Sequence, residues 1–365
     1  MSAPRWSLCF GLLAACGDGG AAGGGSAEDP DAGFTLPPED AFRPGPTGGT
    51  TGSGGGGTGA DGPDGPGQRL AGPESTYNYY GISAYGDAVY VTDANGPEGH
   101  LLRIPKTGGA PVVLGDRLMV PTAVRAEADG VYVLTTTDLF RFPPDGGDRV
   151  RLADVENAQY AGLAVDVTDV YFTNYTDSGS VARVSKSGED EVAVLATDEP
   201  FAAGVALSTD VVFYAALGAD RVRSVPKAGG AVADVAPGQR GVRLGLAANE
   251  THLFWVTEGD APMRLWRAPL AGGAPELVGE SPTTASWAVT LVLDATHVYY
   301  PTPDCRIVRF SHAGGDLNVL TFPQGQGCPA QIAGDATHLY YTSAAGVFRV
   351  EKSAFGPSRP PSTVR

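Results

Sequence analysis

Positive charge is what this sequence has least of. Across 365 residues, 25 Lys and Arg stand against 41 Asp and Glu, a formal net charge of −16. A phosphate backbone is held by a basic surface, so no nucleic-acid partner is expected. Long apolar runs are also missing, and none approaches the roughly 20 residues that a membrane-spanning helix needs. No phosphate loop, Ser-His-Asp spacing or metal-ligand motif stands out, so neither a metal nor a cofactor is expected. Cysteine is scarce, with four in all. What remains is 42% hydrophobic residues, enough for a sizeable core, and a heavy load of turn formers, 52 Gly and 29 Pro.

The first residues read as an export signal. Arg5 supplies a positive charge, Trp6 to Leu13 a short apolar stretch, and Leu13-Ala14-Ala15-Cys16 a small-residue ending. That ending resembles the bacterial lipobox, in which cleavage precedes the cysteine and its thiol is acylated. The resemblance implies a signal peptide over 1–15, a lipid on Cys16 and a place in the bacterial cell envelope, with the membrane as a partner through that lipid. Residues 16–66 follow as a Gly-, Pro- and acid-rich tract with almost no large apolar residue, which cannot offset the entropy of ordering. A flexible coil of about 50 residues reaches roughly 35–40 Å, which suits a tether.

From Tyr79 onward one pattern returns. Aligning the anchors Tyr90, Tyr132, Tyr171, Phe213, Phe254, Tyr299 and Tyr340 gives intervals of 42, 39, 42, 41, 45 and 41 residues by subtraction. Past each anchor comes a strand of the form Arg-apolar-Pro-Lys, as in Arg103-Ile104-Pro105-Lys106, then a glycine pair and a last strand such as Val112-Val113-Leu114. Four short strands separated by turn signals make one antiparallel blade, and a period near 40 makes a propeller rather than a helical solenoid. The expected fold is therefore all-β, a seven-bladed β-propeller of four-stranded antiparallel blades over 67–355, preceded by a disordered linker and followed by a flexible tail at 356–365. Blade seven lacks a fourth strand of its own. Gln68-Arg69-Leu70-Ala71-Gly72 reads like one, so the N-terminal segment is expected to close the ring.

The second strands carry a resemblance. Tyr90-Val91-Thr92-Asp93, Tyr171-Phe172-Thr173-Asn174 and Tyr340-Tyr341-Thr342-Ser343 resemble the Tyr-Trp-Thr-Asp repeat of low-density-lipoprotein-receptor-type propellers. Phe254-Trp255-Val256-Thr257-Glu258 is a looser copy with one residue more. That family has six blades where seven are counted here. The resemblance implies a binding scaffold outside the cytoplasm and carries over no ligand.

Several candidate sites follow from the alternation of strands. Loops between strands two and three share a face with the linkers entering strand one. Cys305 lies in the first kind of loop and Cys328 in the second, on neighbouring blades. With Cys9 and Cys16 assigned to the signal and the lipid, these two are expected to form a disulfide. Counting back eleven or twelve residues from the anchors gives four aromatics, Tyr79, Tyr160, Phe201 and Trp287, at one channel mouth. The adjacent loops add Asp93, Asp138, Asp177, Asp220, Asp260 and Asp304. An aromatic ring with an acidic surround suits a saccharide, a basic peptide or a cation. Against this stands the reading that the aromatics wedge between blades and the acids form turns. His252, His297 and His338 share one repeat position and read as turn residues, because equivalent positions on different blades are too far apart to share a metal. The recurrent strand-three arginine reads as a hydrogen-bond donor between blades.

Three functions are compatible with these residues: a non-catalytic envelope lipoprotein binding a protein or glycan, a propeller enzyme of lactonase or lyase type, and a structural surface protein. A monomer is expected in each case.

Overall fold

The computed structural model describes residues 65–72, 79–94, 96–158, 161–258, 262–281 and 290–356. The expected signal, Cys16 and nearly all of the linker lie outside the described residues, as do Tyr160, Asp260, Trp287 and most of the expected tail.

Seven four-stranded antiparallel sheets form seven blades. Blade 1 consists of Tyr79–Tyr85, Ala88–Asp93, Gly99–Pro105 and Val112–Leu118, and blade 2 of Pro121–Glu127, Gly130–Thr135, Asp138–Phe142 and Val150–Asp154. Blade 3 runs through Leu163–Val165, Asp169–Asn174, Ser180–Ser185 and Ala193–Ala196, and blade 4 through Ala202–Leu207, Val211–Ala216, Arg221–Pro226 and Ala233–Ala236. Blade 5 has Val242–Ala248, His252–Thr257, Arg264–Pro269 and Glu276–Glu280. Blade 6 has Val292–Leu293, His297–Thr302, Arg306–Ser311 and Leu317–Thr321. Blade 7 contributes Gln331–Gly334, His338–Ser343 and Gly346–Glu351 in sequence. Its fourth strand is Gln68–Ala71, antiparallel to Gly346–Glu351 with Gln68 opposite Arg349 and Arg69 opposite Phe348. The ring is thus closed by the segment expected to close it.

Strand position explains composition. Second strands are covered on both faces by neighbouring blades, and those of blades 1 and 2, Ala-Val-Tyr-Val-Thr-Asp and Gly-Val-Tyr-Val-Leu-Thr, are buried at every residue. β-Branched and aromatic residues fit such a pleated, two-sided interior. Fourth strands lie at the outer edge and expose Val112, Val113, Val150, Val194, Leu277 and Val319. First strands crowd the axis. A Cβ on Gly162 would come within 2.6 Å of the Gly204 carbonyl carbon on the next blade, so only glycine fits there. Its N–H donates to the Thr173 hydroxyl at 2.8 Å, and Gly81 N–H donates to Thr92 in the same way at 2.8 Å. The threonine of the Tyr-x-Thr repeat therefore caps an irregular first strand from within the blade.

Blades are joined by a recurring clasp. Asp335, before the second strand of blade 7, accepts the Thr337 and His338 N–H groups through Oδ1. Its Oδ2 accepts the Tyr340 hydroxyl at 2.7 Å and Lys106 Nζ, from blade 1, at 2.8 Å. The ammonium also lies 5.2 Å from the Tyr340 ring centroid, a cation–π contact. Asp129, Tyr132 and Lys186 repeat the arrangement between blades 2 and 3, Asp166, Tyr171 and Lys227 between 3 and 4, and Asp294, Tyr299 and Lys352 between 6 and 7. Where the anchor is Phe213, the lysine position holds Leu270, which packs on the same core cluster. Where it is Phe254, the position holds His312, whose ring lies 5.0 Å away. Tyr90 instead meets Pro144, its hydroxyl donating to the carbonyl at 3.4 Å. The strand-three arginine also bridges blades: Arg141 donates to Lys186 O and Arg349 to Lys106 O, both at 2.7 Å, and Arg267 to His312 O at 2.5 Å.

Candidate functional site

The two faces of the ring are built from different connections. On one, which we call the turn face, strands one to two and three to four are joined by tight turns. Glycines with positive φ, such as Gly108-Gly109 and Gly272-Gly273, serve these turns. On the other, the loop face, lie the two-to-three loops and the linkers between blades. All seven non-glycine residues with positive φ among the described residues fall on this loop face: Arg117, Val120, Asn157, Asp198, Phe201, Asp220 and Cys305. Asn and Asp tolerate that conformation, whereas a β-branched valine or a phenylalanine adopts it only when its surroundings over-determine it.

The loop face holds those of the residues marked in the sequence that are described, and most have local partners. Tyr79 is 9% exposed in the core between blades 7 and 1, with its hydroxyl on Gly72 O at 3.0 Å. Phe201 is half-buried against Tyr175, centroids 5.2 Å apart. Asp93 is fully buried, with Oδ2 2.9 Å from His100 Nδ1. Asp220 caps the approach to blade 5 through the Gly241 N–H at 3.3 Å, and Asp304 takes the Thr302 hydroxyl at 2.6 Å and Arg306 at 3.0 Å. Asp138 accepts the Thr137 hydroxyl at 2.5 Å and also pairs with Arg151. Asp177 is exposed. Cys305 and Cys328 are joined as a disulfide with Cα atoms 4.1 Å apart, linking a loop of blade 6 to the linker entering blade 7. Gln326 fastens the same corner, its amide holding Gly67 N–H and C=O, while its carbonyl accepts Ser343 Oγ at 2.7 Å. Among the described residues, no group of three His, Cys, Asp or Glu is placed to hold a metal ion.

The axis was not singled out in the sequence. Its narrow part, about 70 Å³, is lined by first strands of all seven blades, among them Gly81, Thr122, Gly162, Gly204, Leu246 and Gln331. Toward the turn face it opens into a solvent-facing mouth of about 330 Å³, lined by residues of blades 3 to 6 such as Val165, Leu207, Ala248 and Leu293. Two charged residues, Arg125 and Glu127 of blade 2, stand among them. In Pro-Thr-Ala-Val-Arg-Ala-Glu, the alternation of a strand sends Val124 and Ala126 into the blade core and Arg125 and Glu127 the other way. Burial lowers the Arg125 pKa from its ordinary value, opposed by the Glu127 charge. Burial raises that of Glu127, opposed by Lys186. The signal available in the sequence was this alternation of charges within a strand otherwise patterned as an axial one.

No known protein family and no curated protein matches the chain. Solved structures do share the fold. Selenomethionine-substituted virginiamycin B lyase from Staphylococcus aureus superposes with a TM-score of 0.65 at 14% identity, covering 78% of this chain and 97% of that one. The catalytically inactive histidine-to-alanine variant of that lyase with quinupristin gives 0.64 at 13% identity, over 78% and 98%. The computationally designed Ika8 protein gives 0.53 at 13% identity, again over 78% and 98%. At such identities the likeness is one of fold.

Proposed function

We propose that this chain is a non-catalytic propeller of the bacterial cell envelope, anchored through a lipid on Cys16, that presents its loop face to a protein or glycan partner. One observation carries the reading: among the described residues, non-glycine backbone with positive φ falls on the loop face alone. For Arg117, Val120, Phe201 and Cys305 that conformation costs on the order of 1–3 kcal/mol each, and such strain clusters where a surface is held ready for a ligand. The disulfide and the Gln326 contacts fix that face further, and loops held in place before binding lose less entropy on binding. The exposed carboxylates of Asp177 and Asp304 favour a basic or hydroxyl-rich partner. The Tyr-x-Thr repeats fit a scaffold of the receptor-propeller kind.

The test is a photo-crosslinking residue placed in living cells at Asp177 or Asp304 on the loop face, or at Glu189 on the turn face. Adducts from the first two positions and none from the third are expected. Equal labelling from both faces, or none, would refute the reading. Cys16→Ala is expected to lose acyl label and detergent partitioning; a variant that retains both would remove the anchor from the proposal.

A lyase is the second reading, favoured by the buried Asp93 carboxylate that orients His100, an arrangement suited to a general base. The structurally similar lyase is inactivated by loss of one histidine. Incubation with virginiamycin B followed by mass spectrometry separates the readings. Conversion by the wild type that His100→Ala abolishes would establish the enzyme and displace the scaffold.

A further inference from the structure

We propose that the Cys305–Cys328 disulfide is a redox latch on the ring: a dithiol that reduces it frees the closing strand Gln68–Ala71. This device goes beyond the partner surface proposed above and does not rest on it.

The closing strand is held differently from its counterparts. The other six fourth strands follow their third strands directly in the chain, so a turn keeps each in its blade. Gln68–Ala71 is joined to its blade only by contacts. Its ladder to Gly346–Glu351 has three pairs, with an irregularity between Arg69 and Ala71. Just before it, the chain is gripped by a side chain rather than by a strand. Gln326 Nε2 donates to the Gly67 carbonyl at 2.6 Å, and the Gly67 N–H donates to Gln326 Oε1 at 3.2 Å. The pairing imitates one rung of a sheet between residues 259 positions apart. The Tyr341 hydroxyl donates to the same Oε1 at 3.3 Å. A Cβ on Gly67 would come within 2.3 Å of that hydroxyl, so only glycine accepts the grip.

What positions Gln326 is the linker from blade 6 to blade 7. Phe322 anchors its start, with its N–H on the Cys305 carbonyl at 2.9 Å and its ring 4.8 Å from that of Tyr341. The Ala330 N–H on the Thr342 carbonyl at 2.8 Å fixes its end. Between these points the Ser343 hydroxyl holds the Gln326 carbonyl at 2.7 Å, and the disulfide ties Cys328, two residues on, to blade 6. Cys328 is exposed, so a thiolate from solvent reaches its sulfur. Attack there forms a mixed disulfide and expels Cys305 as a thiolate, which takes up a proton. The second thiol of the reductant then displaces Cys328. Two electrons and two protons have passed from the dithiol, which leaves as a disulfide. With the linker released, the grip on Gly67 slackens, and the strand is left to its three-pair ladder and the burial of Leu70. The chain that leads to Cys16 runs straight into this strand, so in an anchored protein reduction loosens the ring at its attachment. That consequence rests on the anchor; the latch does not.

Hydrogen exchange read by mass spectrometry, on the purified protein before and after reduction with dithiothreitol, follows the latch segment by segment. Peptides over 65–72 are expected to exchange about 10-fold faster or more after reduction, as when one or two buried hydrogen bonds are lost. Val211–Ala216 of blade 4 is expected to stay protected over the same period. Gln326→Met, with the disulfide intact, is expected to give the same local acceleration, and oxidised glutathione to restore protection in the reduced wild type. Unchanged exchange over 65–72 on reduction would overturn the proposal. So would equal acceleration in every blade, which is general destabilisation rather than a latch. A Gln326→Met protein as protected as the wild type, or a loss that reoxidation does not reverse, would overturn it as well.

Discussion

Closure of the ring by Gln68–Ala71 can be broken by truncation. A chain starting at Gly65 keeps the strand, and one starting at Pro73 lacks it. In the intact ring, Leu70 is 4% exposed and packs with Tyr79, Leu102 and Val347, and its carbonyl accepts the Gly109 N–H of blade 1 at 3.1 Å. Arg69 lies over the Phe348 ring at 5.4 Å, and Gln68 Oε1 accepts Arg349 Nε at 2.9 Å. Leu70→Ala alone should cost about 2–4 kcal/mol, as buried leucines do. Losing the whole strand should cost at least as much, because the Gly346–Glu351 edge is then unpaired and Phe348 loses its cover. For a domain of this size 1 kcal/mol moves the thermal midpoint by roughly 2–4 °C. The two truncated chains, melted at one scan rate, should therefore differ by about 5–15 °C, with Leu70→Ala between them. Midpoints agreeing within about 1 °C would refute closure by this strand.

Acid should loosen the clasps. Burial works against ionisation of Asp166, but Lys227, the Asp169 and Thr168 amides and Tyr171 outweigh it and bring its pKa down to about 2, below the ordinary 3.8. Asp129, Asp294 and Asp335 are lowered by the same contest. A folded-state pKa below the unfolded one contributes stability that is present above about pH 4–5 and lost as pH falls toward 2. Allowing for solvent screening, about 1 kcal/mol per clasp is expected, seen as a falling urea midpoint between pH 5 and 3 that Lys227→Met makes shallower by the share of one clasp in the four. Phe213→Tyr should cost about 1–3 kcal/mol by burying an unpaired hydroxyl, and adding Ser208→Asp and Leu270→Lys should restore most of it in urea melts. Reducing the Cys305–Cys328 bond, which spans 23 residues of sequence, should cost roughly 3 kcal/mol. Peptide mapping without reduction should find the two cysteines joined.

The blade count and the closing strand were legible because each depends on local text that repeats: an aromatic anchor, a glycine pair, a small-residue first strand. The disulfide was legible for the same reason, since alternation of strand direction puts Cys305 and Cys328 on one face. The clasp was visible only in part, as the Pro-Lys ending of a third strand. The whole is a contact between residues such as Asp335 and Lys106, 229 positions apart in sequence. Tyr79 and Asp93 could be placed at a mouth, but burial decides their partners, and burial is set by how tightly blades approach. Arg125 was hidden by its neighbours: an axial strand of mostly small residues draws attention away from one charge.

The clasp has a consequence for assembly. Blades of such similar sequence could dock in the wrong order, a known failure of repeat chains. Here each blade offers one chemistry to the blade ahead and another to the blade behind. Blades 1, 3, 4 and 7 extend a lysine backwards, and blades 2, 3, 6 and 7 offer an aspartate–tyrosine pair forwards. Were a lysine-bearing blade to dock behind Phe213 or Phe254, its ammonium would meet a ring without a hydroxyl, and Ser208 or Asn249 where Asp166, Asp294 and Asp335 stand in blades 3, 6 and 7. The leucine and histidine joints thus act as addresses, favouring the succession of blades 4, 5 and 6 by the penalty on a lysine-bearing neighbour.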